Sequence, residues 1–214
     1  MLDKEQEEPT PVDGEEQDAA SSVAKKRNWV RGEISRKVFI DATIELLESN
    51  GFGDITTRKV AEKAGMDRST IHQQFGSMED LYIAVVDDLI NQTLATLKGR
   101  TTFRNFPLVE RPLVLRARLV AWLLANGTDP ERLKSADSQV PRLAEQQFGQ
   151  LGISNRTAVN FATLVGLLAD ATSILGPVYD LNERTFADGV DLLVWMTSKL
   201  HEIETDLKWS DPAE

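Results

Sequence analysis

The chain has 214 residues, 41% of them apolar and 27% charged, an ordinary balance for one or two folded domains with a sizeable core. It contains no cysteine, which excludes disulfides, thiolate zinc sites, iron–sulfur clusters and a cysteine nucleophile. The net charge of −10 is uneven: residues 1–24 carry −7, residues 25–75 carry +3 and the rest −6, and a locally basic block on an acidic chain is what phosphate binding requires.

Met1 to about Ala24 is acidic, carries Pro and Gly and has little to bury, so it is expected to be disordered. Lys25, Lys26, Arg27 and Arg31 then form a basic arm, suited to phosphates or to simple solvation. The spacing of Ile34, Val38, Ala42 and Leu46, with Phe39, Ile40 and Leu47, predicts a helix over Glu33–Ser49 that Asn50–Gly51 stops. Phe52 and Ile55 read as core plugs beneath the next two helices.

Thr56 to Phe75, TTRKVAEKAGMDRSTIHQQF, reads as two short helices with a sharp turn. Thr56 or Thr57 caps the first, which turns Val60 and Ala61 inward. Gly65 makes the corner, where a residue without Cβ adopts positive φ cheaply. Asp67 caps the second helix, and Ile71 and Phe75, four apart, share its buried face. The spacing of Ala61, Gly65 and Ile71 is that of a tight helix-turn-helix. Its second helix would expose Arg68, Ser69, His72 and Gln73, all able to reach base edges or phosphates.

Ser77 and Asp80 cap a long helix reaching about Lys98, apolar on more than one side as a connector between two domains would be. A loop, GRTTFRNFP, follows at 99–107. Further helices are expected over Val109–Ala125, from Asp129–Pro130 onward, and over Val140–Gln150. Two long helices, Asn155–Gly176 and Glu183 to about Leu207, close the chain. Their apolar faces suggest a four-helix bundle made by two chains, or else the completion of one chain's own core. No stretch approaches about 18 uncharged apolar residues, so no membrane span is expected. The N-terminus lacks a signal peptide's apolar core, which makes the cytoplasm the default location.

The stretch GFGDITTRKVAEKAGMDRSTIHQQFGSMEDLYIAVVDDL, Gly51–Leu89, together with the long helix before it, resembles the tetracycline-repressor (TetR) family of bacterial transcription regulators. The Gly-aromatic entry, the Thr ahead of the first short helix, the Ala…Gly pair, the Phe and the acidic-plus-Leu start of the fourth helix are all present. The resemblance spans roughly residues 33–90. Two departures stand out: His72 where the family usually has Tyr, and Met78 where it usually has Lys.

The resemblance implies an all-α fold. An N-terminal three-helix DNA-binding head with the helix-turn-helix covers residues 25–76, after a disordered acidic tail over 1–24. A connecting helix follows at 77–98, then a C-terminal helical effector-binding and dimerisation domain at 99–214. It also implies a ligand-responsive homodimeric regulator, a repressor above all, that binds a palindromic double-stranded DNA operator and is released by a small apolar or amphipathic effector. Arg68, Ser69, Thr70, His72 and Gln73 are expected to face the groove, and Thr57, Arg58, Lys59 and Lys63 the phosphates. Expected pocket residues are Phe103, Phe106, Trp122, Phe148 and Phe161, with Arg118, Gln147 and Asn160 as polar anchors.

An enzyme finds little support. The imidazoles are His72 and His201 alone, and no G-x-S-x-G, Gly-rich phosphate loop or His-x-x-x-His pair occurs. Asp87 and Asp88 adjoin, so on a helix they point about 100° apart, a poor acid/base pair. No catalytic residue, metal or cofactor is assigned. The alternative is a helical protein-interaction module that has lost specific DNA binding.

Overall fold

The computed structural model describes residues 14–97, 111–134, 152–179, 181 and 183–208, and every regular element among them is helical. In order these are α1 (Gly14–Ser49), a 3-10 turn (Phe52–Asp54), α2 (Thr57–Ala64), α3 (Arg68–Phe75), α4 (Met78–Leu97) and α5 (Arg111–Ala125). Then come α6 (Pro130–Leu133), α7 (Asn155–Leu175), α8 (Glu183–Ser198) and α9 (Leu200–Asp206). The loop expected at 99–107 and the helix expected at 140–150 lie outside the described residues.

Two expectations need correction. First, α1 begins at Gly14, so part of the segment expected to be disordered, and all of the basic arm, is helical. The reason is local: Glu, Gln, Ala, Lys and Arg make up ten of the seventeen residues 15–31, with no Gly or Pro among them. Second, the last long helix is broken at Lys199 into α8 and α9. There Ser198 Oγ donates to the Trp195 carbonyl at 2.6 Å and the Lys199 N–H turns to Met196 at 2.9 Å, tightening the chain out of α-helical register. Helix α7 is 21 residues long and apolar enough, by length and composition alone, to cross a membrane, but it carries Arg156 and Asp170 and one of its faces lies in a buried core.

The apolar side chains collect in two cores. The first joins α1, α2 and α3 to the following helices: Phe39, Leu47, Ile55, Val60, Ile71 and Phe75 are continuous with Leu81, Val85 and Leu89 of α4 and Leu119 and Leu123 of α5. The second is built on α7, where Ala158, Phe161, Ala162, Val165 and Ala169 meet Leu113 of α5 and Leu200 of α9. Helix α5 therefore contributes to both. Ser154 caps α7, accepting the Thr157 N–H at 3.2 Å, and Glu204 of α9 accepts from the Ser154 N–H and the Thr157 hydroxyl. Those bonds hold the Glu204 carboxyl below the usual carboxylate range.

The junction between head and body is aromatic. Trp122 of α5 stands edge-on to Phe52 at 6.2 Å and to Tyr82 of α4 at 5.6 Å. The Tyr82 hydroxyl donates to the Phe52 carbonyl at 3.2 Å, and burial pushes the phenol up to about 12. Arg132 of α6 adds a forked ion pair, reaching Glu79 at 2.6 Å and Asp80 at 2.7 Å at the start of α4.

Within α4, burial pushes the Asp87 carboxyl above its ordinary range, against the opposing pull of Arg36 and Arg116. Its ionised form is thus disfavoured in the fold, and the resulting cost is absent below the ordinary aspartate value, grows as pH rises from there to the elevated folded value, and is fully present above it. Asp87→Asn is expected to raise the melting temperature at pH 7, with the gain vanishing below about pH 4, the ordinary range for aspartate. Melting curves across that interval check it.

Candidate nucleic-acid interface

The geometry of the head follows from three local devices. The Thr56 hydroxyl accepts the Lys59 N–H at 3.3 Å, which starts α2. Gly65 ends it at φ 63°, with its own N–H on Glu62 and the Met66 N–H returning to the Ala61 carbonyl at 3.0 Å. Asp67 then starts α3, its Oδ1 accepting from the Ser69 N–H at 2.7 Å and the Ser69 hydroxyl at 2.5 Å. These bonds from Ser69 hold the Asp67 carboxyl below the usual range. A Cβ at Gly65 would meet open space, so Gly65→Ala is charged only for its left-handed backbone, about 1–2 kcal/mol. A thermal melt checks this, and Gly65→Asn should recover part of the loss.

Helix α3 is seated by Ile71, fully buried, and Phe75, whose ring lies edge-on to Phe39 at 6.3 Å. Arg36 of α1 holds its C-terminal end. Its guanidinium lies 4.4 Å from the centre of the Phe75 ring and donates to the Gln74 carbonyl at 2.9 Å, where a cation meets the negative end of the helix dipole. Sequence reasoning passed over Arg36. Nothing in its local pattern separates it from an ordinary surface cation, because its partners lie 38 and 39 residues on.

On the opposite side, Arg68, Ser69, His72 and Gln73 are exposed along one strip of α3, with Thr70 partly covered beside them. Arg68 and Gln73 have no side-chain partner among the described residues. The Ser69 hydroxyl is committed to Asp67, and His72 Nδ1 lies 3.1 Å from the Gly76 carbonyl. On α2, Arg58 pairs with Glu62 at 2.8 Å, Lys59 donates to the Asp54 carbonyl at 2.8 Å and Lys63 pairs with Glu45 at 2.5 Å. Thr57 is half-buried. Such exposed pairs are worth about 0–1 kcal/mol, so a phosphate can displace them.

Of the expected pocket residues, the four that are described do not share one cavity. Phe103, Phe106, Gln147 and Phe148 lie outside the described residues. Arg118 donates to the Ser173 carbonyl at 3.3 Å and borders a cavity of about 550 Å³ beside Leu47, Phe52 and Arg111. Trp122 is part of the aromatic junction and borders a different space of about 250 Å³. Asn160 is exposed on α7, and Phe161 is buried in the second core.

A tight, doubly capped helical pair that presents a polar strip on its second member is a helix-turn-helix, an arrangement that in many proteins docks in the major groove of DNA. Residues 39–85 match the family profile described as bacterial regulatory proteins, tetR family. Tetracycline repressor protein class D of Escherichia coli is 26% identical over 143 residues, 63% of this chain and 66% of the repressor. The match thus spans just under two thirds of that relative. HTH-type transcriptional regulator BetI of Rhizobium meliloti (strain 1021) is 29% identical over 76 residues, 34% of this chain and 37% of its own length. A crystal structure of a TetR variant from Acinetobacter baumannii AYE in complex with minocycline is similar at a TM-score of 0.45 and 20% identity, over 80% of this chain and 97% of that one.

Proposed function

We propose that the protein is a cytoplasmic, homodimeric transcriptional repressor that binds an inverted-repeat DNA operator and leaves it when a small apolar or amphipathic effector enters the C-terminal domain. The observation that carries this reading is the exposed strip of α3, held rigidly by the caps at Asp67 and Gly65 and by the Arg36 clamp. Arg68, Ser69, Thr70, His72 and Gln73 face the major groove, while Thr57, Arg58, Lys59 and Lys63 meet phosphates. Two copies, joined through α7 and α8, set two α3 helices about 34–36 Å apart. The relatives named as repressors support the sign of regulation. Because α5 belongs to both cores and touches the head through Trp122, an effector that displaces α5 would also move the head.

Selection of bound fragments from genomic DNA by the purified protein tests the proposal. One enriched inverted repeat is expected, bound more weakly as salt rises because cations leave the phosphates on binding. No enrichment at low salt by a folded dimer would overturn it. Arg68→Ala is expected to cost about 1–3 kcal/mol of specific binding if Arg68 reads a guanine, measured by titration of the selected operator. Equal affinity of mutant and parent would remove Arg68 from the reading set.

A further inference from the structure

His72 is not free to choose which of its ring nitrogens faces outward. Its Nδ1 lies 3.1 Å from the Gly76 carbonyl oxygen, and a carbonyl can only accept, so the proton sits on Nδ1. The Gly76 N–H donates back to the His72 carbonyl at 3.0 Å, and this reciprocal pair fixes the ring against the end of α3. The neutral imidazole therefore turns a lone pair, at Nε2, toward the exposed side that also carries Arg68, Ser69 and Gln73. Phosphate oxygens are acceptors and have nothing to offer that lone pair. In the major groove the complementary groups are exocyclic amines, N6 of adenine and N4 of cytosine, whereas O6 of guanine and O4 of thymine oppose it.

We infer that His72 is a specificity-determining residue, an acceptor that selects amino bases (A or C) over keto bases (G or T) at one position in each half-site. This rests on the groove-facing reading of α3 above. A tyrosine hydroxyl, able both to donate and to accept, could not impose that distinction; the imidazole tied to Gly76 can.

The test is selection from randomised duplexes by the full-length protein and by His72→Ala at one salt concentration, with a thermal melt of each. The parent is expected to prefer A or C over G or T about ten-fold or more at one position per half-site, and His72→Ala to lose that preference alone. A second measurement keeps the test independent of the variant's folding. Replacing the selected adenine by purine, or the cytosine by 2-pyrimidinone, removes the amine and should weaken parent binding by a similar factor. Three results would overturn the inference: an even loss of affinity across all sequences, as for a phosphate contact; a His72-dependent preference for G or T; or an amine deletion without effect. If the parent selects no repeat, the operator-binding proposal itself fails, and this inference with it.

Discussion

Phe39→Ala is expected to destabilise the head by about 3–5 kcal/mol, the range for truncating a fully buried phenylalanine. Phe39 is 0% exposed and packs edge-on to Phe75, so its ring is the wedge between α1 and the helix that would enter the groove. The first core continues from there through Leu81 and Val85 into α5 without a break, which gives the void no separate pocket in which to close. Against a typical total of about 5–15 kcal/mol, the loss is large enough to appear in a urea titration as an early-melting head or as a lowered single transition. A cost below about 1 kcal/mol would mean that α3 is seated by its caps and by Arg36 rather than by this ring. Phe39→Leu should keep most of the stability, because it retains apolar volume.

Leu168→Asp is expected to split the proposed dimer and to lower operator affinity about 10²–10⁴-fold through lost bivalency, while leaving the fold of one chain intact. Asn160, Thr163, Leu164, Leu167, Leu168, Ala171, Ile174 and Leu175 are exposed on α7 at intervals of three and four. Leu167 alone is 60% exposed. That is the pattern of a helix with an apolar seam on the side away from its own core, and α8 leaves Leu192 and Trp195 exposed as well. The carboxylate would be harmless in water but unpaired and desolvated once the seam is covered. Sedimentation at a concentration where the parent is dimeric checks the assembly, and titration of whole and half operators checks the affinity. A variant that stays dimeric would show that the Leu168 side of α7 is not the seam.

The head was legible in the sequence because its determinants are short-range. Thr56, Gly65 and Asp67 each act within four residues of themselves, so identity and spacing alone carry their meaning. The buried pair Ile71 and Phe75 follows from helical period. The body was less legible, since periodicity shows that a side chain is apolar but not which neighbour covers it. Trp122, expected to line a pocket, also ties α5 to Phe52 and Tyr82, which lie 70 and 40 residues earlier in the chain. Phe161 sits in the core for the same reason. The early start of α1 is hidden in the sequence because an acidic composition masks the local helix preference, and the break at Lys199 because a serine bonding its own backbone leaves no periodic trace.

The internal pairing of Arg58, Lys59 and Lys63 has a consequence for how quickly a target is found. A DNA-binding regulator meets about 10⁶–10⁹ competing random sites, whose hold on it is almost wholly electrostatic. With Arg58 and Lys63 already paired to Glu62 and Glu45, and Lys59 bonded to the Asp54 backbone carbonyl, each nonspecific encounter of the proposed DNA-binding head would gain less from counterion release and end sooner. In the proposed repressor, a head wired in this way would trade grip for turnover, spending fewer copies parked on irrelevant sequence and leaving more of them free to arrive at the operator.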